Sequence, residues 1–223
     1  MRCYSRHMEI AGWLHRLLPK VESYGWGEGC WVAHTKMRTA EHHPPYHWLG
    51  RALDAVEAAG VIDRIRAALL KAHGANTCEG WSERDERAQD VLTAACAYAW
   101  AGERLGQPLF VEAESSGLLL VRVPSIDAWL APRRLWPART MESLLRQLAS
   151  HAVEAASELG DGRGRILYLD LNLDRGKFAR DVGYDGPLTE PLRQGLKHHA
   201  LERRLGWVLT RPFEWGVPIE AWY

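Results

Sequence analysis

In Arg165-Ile-Leu-Tyr-Leu-Asp-Leu-Asn-Leu-Asp174, Asp170, Asn172 and Asp174 occupy every second position, with leucines between them. Carboxylate and amide oxygens are hard donors of the kind that hold Mg2+ or Ca2+. On an extended chain Asp170 and Asp174 stand about 13 Å apart, too far to share one ion. Read as a loop, the segment approaches a calcium site, but its glycine falls one place late and leucines fill the intervening positions. Asp170 alone remains a candidate magnesium ligand, with a polar strand edge as its plainer role. Glu112 and Glu114 share a face of an earlier strand, and Asp127 follows the next one. Asp170, Glu114 and Asp127 are therefore the candidate catalytic carboxylates of a metal-dependent hydrolase.

Two further sets carry chemistry. Cys30, His34, His43 and His47 are zinc donors, and Cys30-x3-His34 has the spacing of a half-site. Pro44-Pro45 breaks the spacing of the other half, and a histidine-rich loop is the simpler role. Arg133, Arg134, Trp136 and Arg139 place cations around an aromatic ring, the combination that grips single-stranded nucleic acid or phosphate. Solvated arginines around an inward-packed tryptophan would look the same in sequence. The glycine-rich Gly160-Asp-Gly-Arg-Gly-Arg165 precedes a strand and lacks the lysine of a nucleotide-binding loop, so it carries no such role. Magnesium and zinc are the cofactors these donors allow.

The elements that must position these residues are legible from periodicity. Arg165–Asp174 alternates strictly, so a half-buried strand is expected, leucines inward and Asp170 on the polar face. Leu109–Glu114 and Leu118–Val123 flank Ser115-Ser-Gly117, a hairpin signal. A short third strand is expected over 126–131, before Pro132. Ser82 caps a long Ala-rich helix ending at Gly106, and Thr140 caps another that Gly160 closes. Helical spacing also marks 8–21, a pair of helices split by Gly60 within 48–73, and a helix from Thr189 toward Gly206, which holds the pair His198-His199. Residues 207–211 read as a further strand, and 212–223 as an aromatic tail too apolar to hang free. The fold class is α/β or α+β, a mixed sheet flanked by helices. A helical, His- and Trp-rich region (1–78) precedes an α/β core domain (79–223).

Composition bounds the partners. The 223 residues carry 28 basic and 28 acidic side chains, a formal net charge of zero. Nucleic-acid or membrane-surface binders usually carry a basic excess, so any such contact must come from a local patch. Only five of the basic residues are Lys, a bias expected of a GC-rich bacterial genome or of guanidinium groups kept for planar recognition of phosphate or carboxylate. Eleven tryptophans are the anomaly, and they suit a core, a stacking site or a protein interface. Cysteines 3, 30, 78 and 96 form no Cys-x-x-Cys pair, and no apolar leader or 18-residue apolar run is present. A cytoplasmic protein with reduced thiols and no membrane partner is expected.

The order helix, hairpin, short strand, helix, strand over residues 82–174 resembles, in topology, the core of the restriction-endonuclease-like nucleases. That resemblance implies an acidic residue and, on the next strand, acid-x-Lys to hold magnesium and activate water. This chain departs from it: Asp127 is followed by Ala-Trp-Leu-Ala-Pro-Arg-Arg134. The expected function is a nucleic-acid-associated protein with a nuclease-like, non-catalytic core. The alternatives are a partner-binding or homo-oligomeric subunit using tryptophan-rich surfaces, and the metal-dependent hydrolase.

Overall fold

The computed structural model describes residues 10–21, 32, 36, 47–73, 83–113, 116–135, 140–160, 164–170, 189–210 and 218–222. Within them lie six α-helices: α1 (Ile10–Leu17), α2 (His47–Ala58), α3 (Ile62–His73), α4 (Glu83–Arg104), α5 (Met141–Leu159) and α6 (Thr189–Glu202). Six strands form one sheet: β1 (Leu109–Glu112), β2 (Leu119–Val123), β3 (Ala128–Arg134), β4 (Arg165–Asp170), β5 (Gly206–Thr210) and β6 (Pro218–Trp222). The fold is a mixed α/β sheet with a helical N-terminal region. No described helix is long and apolar enough to cross a membrane.

Strand order follows chain order, β1 to β6. Short connections make β1, β2 and β3 antiparallel neighbours, and helices α5 and α6 carry the chain across to parallel β4 and β5. Two crossovers of one hand that step in the same direction put both helices on the same face. Accordingly α5 and α6 share a core with Leu167, Leu169, Trp207 and Leu209. The opposite face belongs to α4, whose residues pack with Leu130, Ile166, Tyr168 and Val208.

Helix α4 is buried almost all round from Ala88 to Ala101, because the sheet covers one side and α1–α3 the other. Its alanines let these layers approach closely. The N-terminal helices therefore share one buried cluster with the core, across the domain boundary expected near residue 78. Trp13 of α1 donates its indole N–H to Asp54 Oδ1 of α2 at 2.9 Å, which satisfies the one polar atom of a fully buried ring. The buried Lys36 ammonium donates to the carbonyls of Leu18 and Val21, in the turn that follows α1.

Local signals account for the helix limits. Thr140 Oγ1 accepts from Ser143 N at 3.2 Å, the N-cap of α5, and Gly160 ends that helix at φ +61°. Leu144, Leu148, Ala152, Ala155 and Leu159 form its buried stripe.

Two strand features differ from the sequence expectation. The first is β4, which is buried on both faces: Ile166, Tyr168 and Asp170 are as enclosed as Leu167 and Leu169. It lies between two parallel neighbours, with helices above and below, the usual setting of a parallel strand. The second is β3, which continues through Pro132 to Arg134. Trp129 N donates to Gly164 O and Leu135 N to Asp170 O, so odd-numbered amides of β3 face β4 and Pro132 points toward β2. Pairing with β2 stops at Leu130, so the missing N–H of Pro132 costs no ladder bond.

Candidate functional site

Three parallel strands, β3, β4 and β5, end side by side, and each ends on a polar residue. Arg134 lies opposite Asp170 in register, and Asp170 opposite Thr210. All three point to the α4 face, because they share the phase of Leu130, Ile166, Tyr168 and Val208. In α/β sheets this carboxyl edge is where ligands are met. Here the set is enclosed: Asp170 is 1% exposed, Arg134 3% and Thr210 4%.

Helix α4 closes the set from above. Gln89, Thr93, Cys96 and Trp100, spaced at three or four residues, form one stripe facing β4. Thr93 Oγ1 lies 3.5 Å from Asp170 Oδ2 and 3.1 Å from Gln89 O. Thr210 Oγ1 donates to Leu169 O at 3.2 Å. Cys96 Sγ donates to Leu92 O.

Burial pushes the Cys96 thiol well up, the Asp170 charge pushes it further, and Arg134 pulls it back only in part. It is a protonated thiol and no nucleophile. Tyr168 is likewise held protonated, first by burial and then by the nearby Cys96 and Asp170. The arrangement is a buried carboxylate held among a guanidinium, hydroxyls and neutral acids. Such a set can fix strand ends and orient a small polar group, but it presents no free base.

Among the described residues, metal-ligating side chains gather in a group of three or more only at His198, His199 and Glu202, so Asp170 belongs to no such group. Asp127 is exposed and left-handed (φ 49°) at the start of β3, about 20 Å along that strand from Arg134. Asp170 and Asp127 thus sit at opposite edges of the sheet. Glu114 lies outside the described residues, and its neighbour Glu112 is ion-paired with Lys71.

Arg133 and Arg134 are adjacent but face opposite ways. Arg133 points to α5, where its Nη2 meets Glu158 Oε2 at 2.5 Å and its Nε lies 3.6 Å from Glu154 Oε2. Neither arginine is an open surface cation. Trp136 and Arg139 lie outside the described residues, as do Cys30, His34 and His43. His47 begins α2, with only its backbone described. Of the described tryptophans, Trp13, Trp100 and Trp207 are buried, and Trp129 is half-buried beneath the Arg122 guanidinium.

Sequence reading passed over Gln89, Thr93 and Thr210. A faint signal existed: Gln89 and Thr93 interrupt the alanine-rich stripe of α4 at a spacing of four.

No family model and no solved structure matches the chain. It is 31% identical over 180 residues to a histidinol-phosphate aminotransferase of Rhodococcus jostii (strain RHA1), a stretch that takes in 67% of this chain. The chain spans 46% of that protein's length, less than half of the relative it matches.

Proposed function

We propose that this chain is a cytosolic, nucleic-acid-associated protein built on a nuclease-like core that does not cleave. The observation that carries this reading is the path of the chain through α4, β1, β2, β3, α5 and β4. An antiparallel three-strand meander leads into a parallel crossover, with α4 and α5 on opposite faces. Where such a core would set acid-x-Lys, β3 carries Pro132-Arg133-Arg134. A guanidinium stays protonated and cannot activate water. Beyond β3 the sequence continues into Trp136 and Arg139, an aromatic and a cation suited to a base and a phosphate.

The test is fluorescence anisotropy of labelled single- and double-stranded oligonucleotides over a salt series, with gel analysis after incubation in Mg2+. Binding that weakens linearly with log salt, without cleavage, is the expected result. Trp136→Ala removes roughly 1–3 kcal/mol of binding if a base stacks on the ring. No binding at low salt overturns the reading.

The aminotransferase likeness favours a second reading, recognition of histidinol phosphate, the molecule in that relative's name. A concentration-dependent thermal shift with histidinol phosphate supports it, and an unmoved transition counts against it.

A further inference from the structure

We propose that His198, His199 and Glu202 form a binding site for a divalent transition ion of the Zn2+, Co2+ or Ni2+ class. They close α6, and their spacing explains why they meet. Glu202 stands four residues after His198 and three after His199, so its carboxylate reaches both rings on one helical face. His198 Nε2 lies 3.3 Å from Glu202 Oε1, and His199 Nδ1 lies 3.9 Å from Glu202 Oε2. All three ligand atoms lie within 4.8 Å of one another. Around a tetrahedral zinc with bonds near 2.1 Å, ligand atoms sit about 3.4 Å apart, so small side-chain rotations close the set.

Three further observations favour a cation here. His199 Nδ1 is buried without a hydrogen-bond partner, so a ring nitrogen is enclosed facing Glu202. The His198 and His199 rings meet edge to face with centroids 4.9 Å apart, so both imidazoles converge on the same end of the helix. The end of α6 also places carbonyl dipoles, negative end outward, beneath the site. Arg203 donates to Glu202 Oε2 at 3.1 Å and to His199 O at 3.0 Å, which leaves Oε1 facing His198. Imidazole with carboxylate suits a borderline ion better than Mg2+ or Ca2+. His198 and Glu202 are exposed, so the remaining coordination positions open to water.

The experiment uses the full chain, stripped of metal by a chelator and dialysed, titrated with Co2+ and followed by visible absorption, then competed with Zn2+. The expected result is one equivalent of Co2+ whose spectrum lacks a thiolate-to-cobalt band, displaced by Zn2+. His199→Ala and Glu202→Gln each weaken that binding at least about tenfold. The paired substitution Cys30→Ser with His34→Ala leaves it in place and removes any ion held through Cys30. Circular dichroism confirms that each variant is folded, and Glu202→Gln keeps the side chain's shape. Unchanged binding in His199→Ala and Glu202→Gln, a spectrum with only thiolate-bound cobalt, or no binding at millimolar ion overturns the proposal.

Discussion

Arg133 offers the sharpest test of how this sheet is held. Its guanidinium and the Glu158 carboxylate are 4% and 6% exposed as side chains and meet at 2.5 Å. Arg133 Nη1 also donates to Pro132 O at 2.8 Å. Arg133→Met keeps the aliphatic stem but leaves the Glu158 charge buried without its partner, which costs roughly 3–5 kcal/mol. Replacing both, as Arg133→Met with Glu158→Leu, removes both charges and their desolvation together. That pair of changes should return the protein to within about 1 kcal/mol of the wild type or make it more stable. The double-mutant cycle should then show a coupling of about 2 kcal/mol or more. Urea unfolding measures all four proteins, provided the slope with denaturant is unchanged. If Arg133→Met costs less than about 1 kcal/mol while weakening nucleic-acid binding and its salt dependence, Arg133 serves phosphate and the burial argument fails.

Four other outcomes follow from particular residues. Leu169, fully buried between β4 and the α5–α6 layer, should lose roughly 2–5 kcal/mol as Leu169→Ala, read from the urea midpoint. Gly164 has φ +66° and a Cβ there would lie 2.7 Å from Asp127 O, so Gly164→Ala should destabilise by more than about 1 kcal/mol, and a neutral effect would mean the β3–β4 start is looser than described. The Glu154 carboxyl is lowered from 4.5 to about 2, chiefly by His151, whose Nδ1 lies 3.7 Å from Glu154 Oε2, and also by Ser150 and Arg133. A depressed acid stabilises above its unfolded value and loses that as pH falls toward the folded one, so the wild type should lose more stability than Glu154→Gln between about pH 4.5 and 2, by a small amount because the side chain is half exposed. Cys96 should resist thiol reagents at pH 8 until the protein unfolds, and mass mapping that finds it labelled in the native state would contradict its enclosure between α4 and the sheet.

Several features were legible because their causes are local. Thr140 and Gly160 cap α5 through their own backbone geometry, and apolar residues at three- and four-residue intervals mark the helix's buried stripe whatever it packs against. Gly60 splits α2 from α3 at φ +74°, and Gly117 turns the hairpin at φ +68°, for the same reason. The two-residue alternation of β4 fixed which side chains share a face. Leu167 with Leu169, and Tyr168 with Asp170, were separable before any contact was known.

What covers each face was decided only in three dimensions. The polar side of β4 reads as a solvent edge in sequence, yet α4, more than sixty residues earlier, lies across it and encloses Asp170 with Thr93 and Cys96. Arg133 and Arg134 read as one basic patch, but neighbouring strand residues point to opposite faces. One therefore meets Glu158 of α5 and the other lies beside Asp170. Pro132 reads as a strand stop and is tolerated because β2 has already let go of β3 at that point. Periodicity is a property of neighbours along the chain, whereas burial depends on which distant segment arrives. The sequence thus determined the elements and the phase of their faces, and the tertiary structure alone decided that Asp170, Arg133 and Arg134 sit inside.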